Sequence, residues 1–296
     1  MSDQTSTDEK AATGKFKNTK WQRFFSHRLG MASLFLLGFL LTISILSPVI
    51  SPHAPDHQYY GEELMPPSAT FLFGTDDFGR DILTRSLYGM RLSLGIGLLA
   101  SISGGLVGII LGIAAGFIGG WIDDVLGRIW DTLLAFPALL LGLAVAVGLG
   151  PGTHNAAIAA ALINIPIIGR IARAGVLGEQ EKDYIQAAHA LGASSWRITA
   201  LHLLPNIFPV LLVQITLTMA HAMIIEAGLS FLGLGAQPPT PSLGTMLRDA
   251  RAYMNEAIWY AVFPGLVLTL LLLLLSYISD ALSDAFDTRR NMGKGL

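Results

Sequence analysis

The sequence predicts an all-α membrane protein of about six transmembrane helices with both termini on the cytosolic side. Three observations lead there. Hydrophobic residues make up 52% of the chain and charged residues only 14%, against about a quarter charged in ordinary soluble domains. Six stretches are apolar over roughly the 20 residues that a helix needs to cross a bilayer. Basic residues are also unevenly divided between the loops that alternate along those stretches. The net charge of −2 offers no basic field for nucleic acid, and the absence of cysteine excludes disulfides, thiol catalysis and cysteine-ligated metal.

Taken in order, residues 1–28 read as a polar, Ser/Thr/Lys-rich cytosolic tail. They lack the apolar core and small-residue cleavage site of a secretory signal. Met1 to about Lys20 is too polar to bury anything. The following Trp21-Gln-Arg-Phe-Phe suits the membrane interface, where amphipathic aromatic residues are favoured. Residues 29–90 hold the first span, about Gly30–Ile50, and a long polar segment from Ser51 to Arg91. The remaining spans are about Leu92–Ile118, Thr132–Leu149, Ala156–Leu177, Ile207–Leu229 and Ile258–Ala281, all within 91–282, and 283–296 forms a C-terminal tail. With the N-terminus inside, 14 of the 19 Lys and Arg residues fall on the cytosolic side, the bias that sets topology.

Within the second span, Gly104, Gly108, Gly112, Gly116 and Gly120 recur every four residues. Small residues at this spacing let helix backbones approach closely in lipid. The row drifts by about 40° per step on a helix of 3.6 residues per turn. It suits an oblique helix crossing, with a flexible gating hinge as the lesser reading. Pro137, Pro166, Pro209 and Pro264 lie in or beside spans, where proline kinks or caps a helix.

The longest inside loop, Asp183 to Pro205, places Ile185, Ala188, Leu191, Ile198 and Leu201 at helical spacing, interrupted by Gly192. This predicts a short helix, a turn at Gly192 to Ser195 and a second helix ending at Pro205. Such an amphipathic pair, tethered at both ends to spans, is a device for docking onto a partner. Gln186, Ala187, Ala188, Gly192, Leu204 and Pro205 are the candidate docking residues, the small ones permitting a close fit.

The order Ala187-Ala188, three residues, Gly192 and then Leu204-Pro205 resembles the EAA loop of ABC importer permeases. Gln186 stands where Glu is usual and His202 where Ile is usual. Phe73-Gly-Thr-Asp-Asp-Phe-Gly-Arg-Asp81, Thr84-Arg-Ser and Gly89-Met-Arg-Leu-Ser-Leu94 resemble the C-type subunits of the dipeptide/oligopeptide/nickel permeases. So do Leu229-Ser-Phe-Leu-Gly-Leu-Gly-Ala-Gln-Pro-Pro-Thr-Pro241 and Gly244-Thr-Met-Leu247. The resemblance runs from about Gly30 to Asp287. Ser242-Leu243 replaces the usual acidic-Trp pair, and Ser279 to Thr288 lacks the usual Gly-Asp-Gly and Asp-Pro, which leaves the substrate open.

This resemblance implies a type I ABC importer transmembrane domain in a bacterial inner membrane. It further implies, as partners, a homologous permease subunit in a heterodimer, two ABC ATPase subunits, an extracytoplasmic peptide-binding protein and membrane lipid. The cargo would be dipeptides or short oligopeptides. A nickel chelate, glutathione or an antimicrobial peptide is the alternative for the same machinery, and an ion-coupled secondary transporter is the rival class. No Gly-x-x-x-x-Gly-Lys-Ser/Thr loop is present. The chain is therefore expected to be non-catalytic and to bind no cofactor directly, ATP and Mg²⁺ being used by the partner ATPases.

Two further groups are candidates. Asp76, Asp77, Arg80 and Asp81 form a turn-rich charged cluster beyond the membrane, which either pairs internally or contacts the binding protein. Its spacing fits no EF-hand loop. Glu226 is the clearest ionisable residue inside a span, where such groups face a cavity or a partner. It either meets a peptide ammonium along the substrate path or pairs with a nearby base. His221 lies about 140° away around the helix, which argues against a metal pair.

Overall fold

The computed structural model describes residues 20–286. The expectations for the first 19 residues and for the last ten lie outside the described residues, as does any role for the Trp21 side chain.

The chain opens with α1 (Lys20–Ser26) and α2 (Arg28–Ile50). The His27 ring accepts from Gly30 N–H at 3.0 Å and so caps α2. A polar segment then leads to α3 (Ile82–Ile118), a helix of 37 residues. Its start lies ten residues earlier than hydropathy predicts because Asp81 caps it, accepting from Leu83 N–H at 3.3 Å and Thr84 N–H at 3.2 Å. Positive φ at Gly119 and Gly120 turns the chain into α4 (Gly120–Ala135), which is followed by α5 (Ala138–Leu149) and α6 (Thr153–Gln180). The predicted docking loop supplies α7 (Asp183–Ala190) and α8 (Ser195–Ile198). After it come α9 (Leu204–Phe231), α10 (Leu243–Ala250) and α11 (Ile258–Phe286).

Five helical units are long and apolar enough to cross a membrane, and a sixth span exists if α4 and α5 count as one. The expected single span at about Thr132–Leu149 is broken near its start. The chain bends by 97° between α4 and α5. The cause is Pro137, which cannot donate to the helix ladder and disfavours helical geometry in its predecessor. Phe136 accordingly takes φ −87° and ψ 139°. Only the 12 residues of α5 continue, about 18 Å of helix, well short of the roughly 30 Å hydrocarbon layer.

Lipid offers no hydrophobic drive for helices to pack together, so their association rests on close van der Waals fit and hydrogen bonds. The fit is closest between α3 and α6. A Cβ on Gly104 would lie 2.5 Å from the Ala161 carbonyl oxygen, one on Gly108 2.8 Å from that of Ile165, and one on Gly116 3.0 Å from that of Arg173. Gly112 meets the Gly169 carbonyl in the same way. Each glycine thus faces the carbonyl 57 positions later in the chain, so the helices run parallel and stay in register over four rungs. Gly120 lies beyond the break with nothing near it and is not part of the rail. The row is a packing surface over its whole length rather than a single crossing point.

The apolar interior is built from small residues around this pair, including Ala100, Ala156, Ala159, Ala160 and Ala222. Hydrogen bonds tie α6 to α9. Asn164 Nδ2 donates to the Thr218 carbonyl at 3.2 Å, and its Oδ1 lies 3.0 Å from His221 Nδ1.

The rail predicts a contrast between two glycines. Gly112→Ala drives a methyl into the Gly169 carbonyl and the Ala172 side chain, and overpacking of this kind costs about 1–3 kcal/mol. Gly38→Ala, at a helical site with nothing within 4 Å, is neutral or slightly stabilising because alanine is the better helix former. Melting of the two purified variants, followed by size-exclusion chromatography after heating, should lower the midpoint only for Gly112→Ala.

Candidate functional site

Residues 183–205 pack against one end of the bundle and residues 51–81 against the other. The first end holds the predicted docking loop. Ile185, Ile198 and Leu203 are buried among Ala172, Val176 and Ile207 of α6 and α9, with Phe117 of α3 packed alongside. The loop is therefore bedded on three long helices at once. Its turn is a Schellman motif. Ala193 N–H donates to the Ala188 carbonyl at 3.0 Å and Gly192 N–H to that of His189 at 2.9 Å, with Gly192 at φ +79°. The Ser194 side chain then caps α8 by accepting from Arg197 N–H.

The expectation that the second helix ends at Pro205 is corrected. Pro205 has no N–H to donate to Leu201, and the backbone absorbs the gap by widening. Residues 199–203 form a π-helical turn in which Leu204 N–H reaches the Thr199 carbonyl. Helix then continues without interruption from Ser195 to Phe231. Such wide turns recur at functional sites.

Of the candidate docking residues, Gln186, Ala187, Gly192 and Pro205 are exposed, while Ala188 and Leu204 are half-buried. Sequence reading took Leu191 only as part of the helical spacing and did not single out Trp196. Leu191 is 88% exposed and Trp196 is 79% exposed, one on each side of Gly192. Tyr184 also escaped notice. Its hydroxyl donates to Glu179 and accepts from Asn206 Nδ2 at 2.9 Å, which ties α7 to the ends of α6 and α9. Loss of solvent and then the bond to Glu179 push its phenol up to about 12, so it remains a donor. Asp123 and Asp131 of α4 pair with Arg173 and Arg170 of α6 and clamp Trp130 over Gly169.

At the other end, the charged cluster is a closed knot. Asp76 is fully buried. Its Oδ1 accepts from Phe78 N–H and Arg80 N–H, both at 2.9 Å, and its Oδ2 from Arg80 Nε at 2.7 Å. Arg85 Nε lies 3.3 Å from the same oxygen, and its Nη1 donates to the Pro55 carbonyl at 2.8 Å. Asp81, 1% exposed, accepts from Thr84 Oγ1 at 2.6 Å and lies 3.3 Å from His53 Nδ1. Asp76 and Asp81 hold this loop from within and present no charge to another protein, which corrects the contact role considered for them. Arg80 stacks over Phe78 at 4.6 Å.

Asp77 is the least compensated member. It accepts from Tyr260 O–H at 3.1 Å, and its nearest cation, Arg80 Nη2, is 3.9 Å away. Burial and then the neighbouring Asp76 raise its pKa above the ordinary carboxylate value.

Glu226 does not line an open wall, contrary to its expected place on a substrate path. It is fully buried and pairs with hydroxyls rather than a base. Its Oε2 accepts from Ser93 Oγ at 2.9 Å, and its Oε1 from Ser230 Oγ at 2.8 Å and Ser242 Oγ at 3.1 Å. Ser230 Oγ in turn accepts from Ala236 N–H at 3.0 Å, and Ser242 Oγ accepts from Gly244 N–H at 3.1 Å as the cap of α10. The Ser230 and Ser242 hydroxyls each donate to the carboxylate and accept from backbone N–H groups. The knot joins α3, α9 and α10. Ser242 and Thr245 also form a capping box at the start of α10.

Comparison with known proteins bears on the whole chain. Residues 108–292 match the family described as binding-protein-dependent transport system inner membrane component. Residues 18–67 match the N-terminal TM domain of oligopeptide transport permease C. The dipeptide transport system permease protein DppC of Alkalihalophilus pseudofirmus is 41% identical over 273 residues, spanning 91% of this chain and 90% of that protein. The di/tripeptide transport system permease protein DppC of Pseudomonas aeruginosa is 39% identical over 275 residues, with 91% of each chain covered. Among solved structures, an inward-facing form of the MetNI methionine ABC transporter superposes with a TM-score of 0.54 at 17% identity. It covers 70% of this chain and 97% of that one, and so shares the fold. With its series of apolar helices, the chain is a multi-pass bacterial inner-membrane protein. It belongs to the binding-protein-dependent transport system inner membrane components, and among them to the C-type permeases of peptide ABC transporters.

Proposed function

We propose that this chain forms half of the translocation path of an ATP-driven importer of dipeptides and short oligopeptides, and that it couples transport to ATPases through residues 183–205. The observation that carries the reading is the loop around Gly192. It sets Leu191 and Trp196 in the open while Ile185, Ile198 and Leu203 anchor it to α3, α6 and α9. An exposed leucine and tryptophan on a firmly bedded element suit insertion into a partner's groove. The sequence lacks a phosphate-binding loop, so two ABC ATPase subunits, using ATP and Mg²⁺, supply the energy and this subunit is non-catalytic. The charge asymmetry of the loops supports a cytosolic side for residues 183–205 and for both termini. The 51–81 end then faces outward, toward an extracytoplasmic peptide-binding protein. A homologous permease subunit completes the path. The relatives' names, with dipeptides or di- and tripeptides in them, support the cargo.

The reading as a whole is tested by uptake of labelled dialanine and trialanine into cells expressing the chain with its partner subunits. Uptake that is equal with and without this chain overturns it.

Docking is tested more locally. Gly192→Asp places a side chain at φ +79° and a charge beside the exposed apolar pair. Peptide uptake should fall at least about tenfold, the effect of losing one interface anchor of 1.4 kcal/mol or more, while ATP hydrolysis by the isolated ATPases is untouched. Trp196→Ala should weaken recovery of the ATPases with the affinity-tagged permease. Full recovery and normal uptake in both variants would remove the docking role.

The knot at the opposite end predicts a different loss. Asp76→Ala leaves Arg80 and Arg85 buried without their shared carboxylate, a change that costs about 3–5 kcal/mol. Thermal melting of the purified complex should show it. Protease sensitivity should appear first within residues 51–81.

A further inference from the structure

Between the 51–81 segment and the chain around α10 lies a cleft of about 620 Å³, within the range of small-molecule sites. Its lining takes Asp77, Phe78 and Arg80 from the 51–81 segment and Arg248, Asp249 and Tyr253 from the chain around α10. Arg85 and Asp56 complete its charges. Three arginines against three aspartates make a lining of zero net charge with both signs present. Such a lining favours a ligand that is itself bipolar over a simple anion or cation.

The charges are not equally available. Arg80 and Arg85 are committed to Asp76, and Arg85 also to the Pro55 carbonyl. Arg248 uses Nε on its neighbour Asp249 at 2.9 Å. Its two Nη groups make no hydrogen bond among the described residues, and its side chain is 33% exposed. Asp77 Oδ1 takes the Tyr260 hydroxyl at 3.1 Å and lies 3.9 Å from Arg80 Nη2, while no side chain among the described residues donates to Oδ2. The cleft lining therefore offers one unspent guanidinium fork and one carboxylate oxygen that no other side chain uses, drawn from two separate segments. Between them Phe78, Tyr253 and the Pro238-Pro239 pair supply apolar surface.

We propose that this cleft is a receiving site for a short peptide, with Asp77 taking the α-ammonium, Arg248 the α-carboxylate, and the aromatic and proline surfaces the side chains between. The proposal rests on the peptide-importer reading and adds to it a recognition site on this subunit, separate from any on the binding protein. It also accounts for Asp77, the one acid of the cluster that the loop does not use internally in full.

The test uses the assembled transporter in lipid nanodiscs without binding protein, titrated with trialanine, N-acetyl-trialanine and trialanine amide by saturation-transfer NMR. The wild-type complex should bind trialanine more tightly than either blocked peptide. Arg248→Gln should weaken trialanine about tenfold, in the range of one charge-assisted hydrogen bond, and leave the amide at its wild-type affinity. Arg248→Lys should restore most of the loss. Asp77→Asn should weaken trialanine to a similar extent and leave the N-acetyl peptide as it was. Misfolding cannot produce this pairing of each variant with one blocked terminus.

Equal affinity for all three peptides in the wild type, or uniform weakening in both variants, overturns the proposal. So does unaltered trialanine binding in variants that no longer respond to loaded binding protein, which would make the cleft that protein's seat. A complex whose ATPase responds to loaded binding protein but which binds no trialanine sinks the cleft alone. A complex that neither responds nor imports peptide sinks the importer reading beneath it.

Discussion

The parallel contact of α3 with α6 is the constraint on which the other features depend. Four glycines of one helix lie on four carbonyls of the other in constant register, so the two cannot slide or rotate independently without a steric clash. That fixes α3 along the bundle, and α3 reaches both ends. Its first turn is capped by Asp81 and carries Arg85, which closes the charged knot. Its last turn brings Phe117 under the loop of residues 183–205. The same contact holds α6 where Arg170 and Arg173 can meet α4. One packed pair of helices thereby relates the two ends of the molecule geometrically.

Most buried polar groups within this apolar bundle are partnered, because an unsatisfied group in lipid has no water to turn to; Ser86 Oγ and Trp259 Nε1 are exceptions among the described residues. Glu226 collects three hydroxyls from three parts of the chain, and Asn164 bridges a carbonyl and an imidazole. These contacts add direction to packing that small side chains leave close but unspecific. Ser242 shows the economy of the arrangement. One hydroxyl caps α10 and donates to Glu226, so the position of that short helix and the satisfaction of the buried carboxylate are a single requirement.

Much of this was legible in the residues and some of it was not. The order of the apolar helices followed from hydropathy, the turn at Gly192 from helical spacing broken by a glycine, and the glycine rail from its period of four. At Phe136-Pro137 the proline was read as a kink or cap, but not as a 97° bend, because an apolar run looks continuous to a hydropathy window. The reverse error arose at Pro205, where a proline reads as a stop but a wide turn carries the helix past it. Glu226 stood out as an isolated charge, but sequence could not place Ser93, 133 positions away, beside it. The same holds for Asp77 and Tyr260, 183 positions apart. Local rules find the chemistry-bearing residue. They do not find the distant partner that decides whether it is spent or available.

The unbroken helix from Ser195 to Phe231 has a mechanical meaning of its own. Thirty-seven residues make a rod of about 55 Å at 1.5 Å per residue, with half of the loop at one tip and Glu226 near the other. Rigid rods convert angle into distance. A tilt of about 5° at the Trp196 tip would displace the far tip by roughly 5 Å, and through Ser242 that displacement would reach α10 and the wall that carries Arg248. Leverage of this kind needs no relay of side chains through the bilayer. It needs only that the π-helical turn at residues 199–203 be stiff enough to serve as a joint that transmits torque rather than absorbing it.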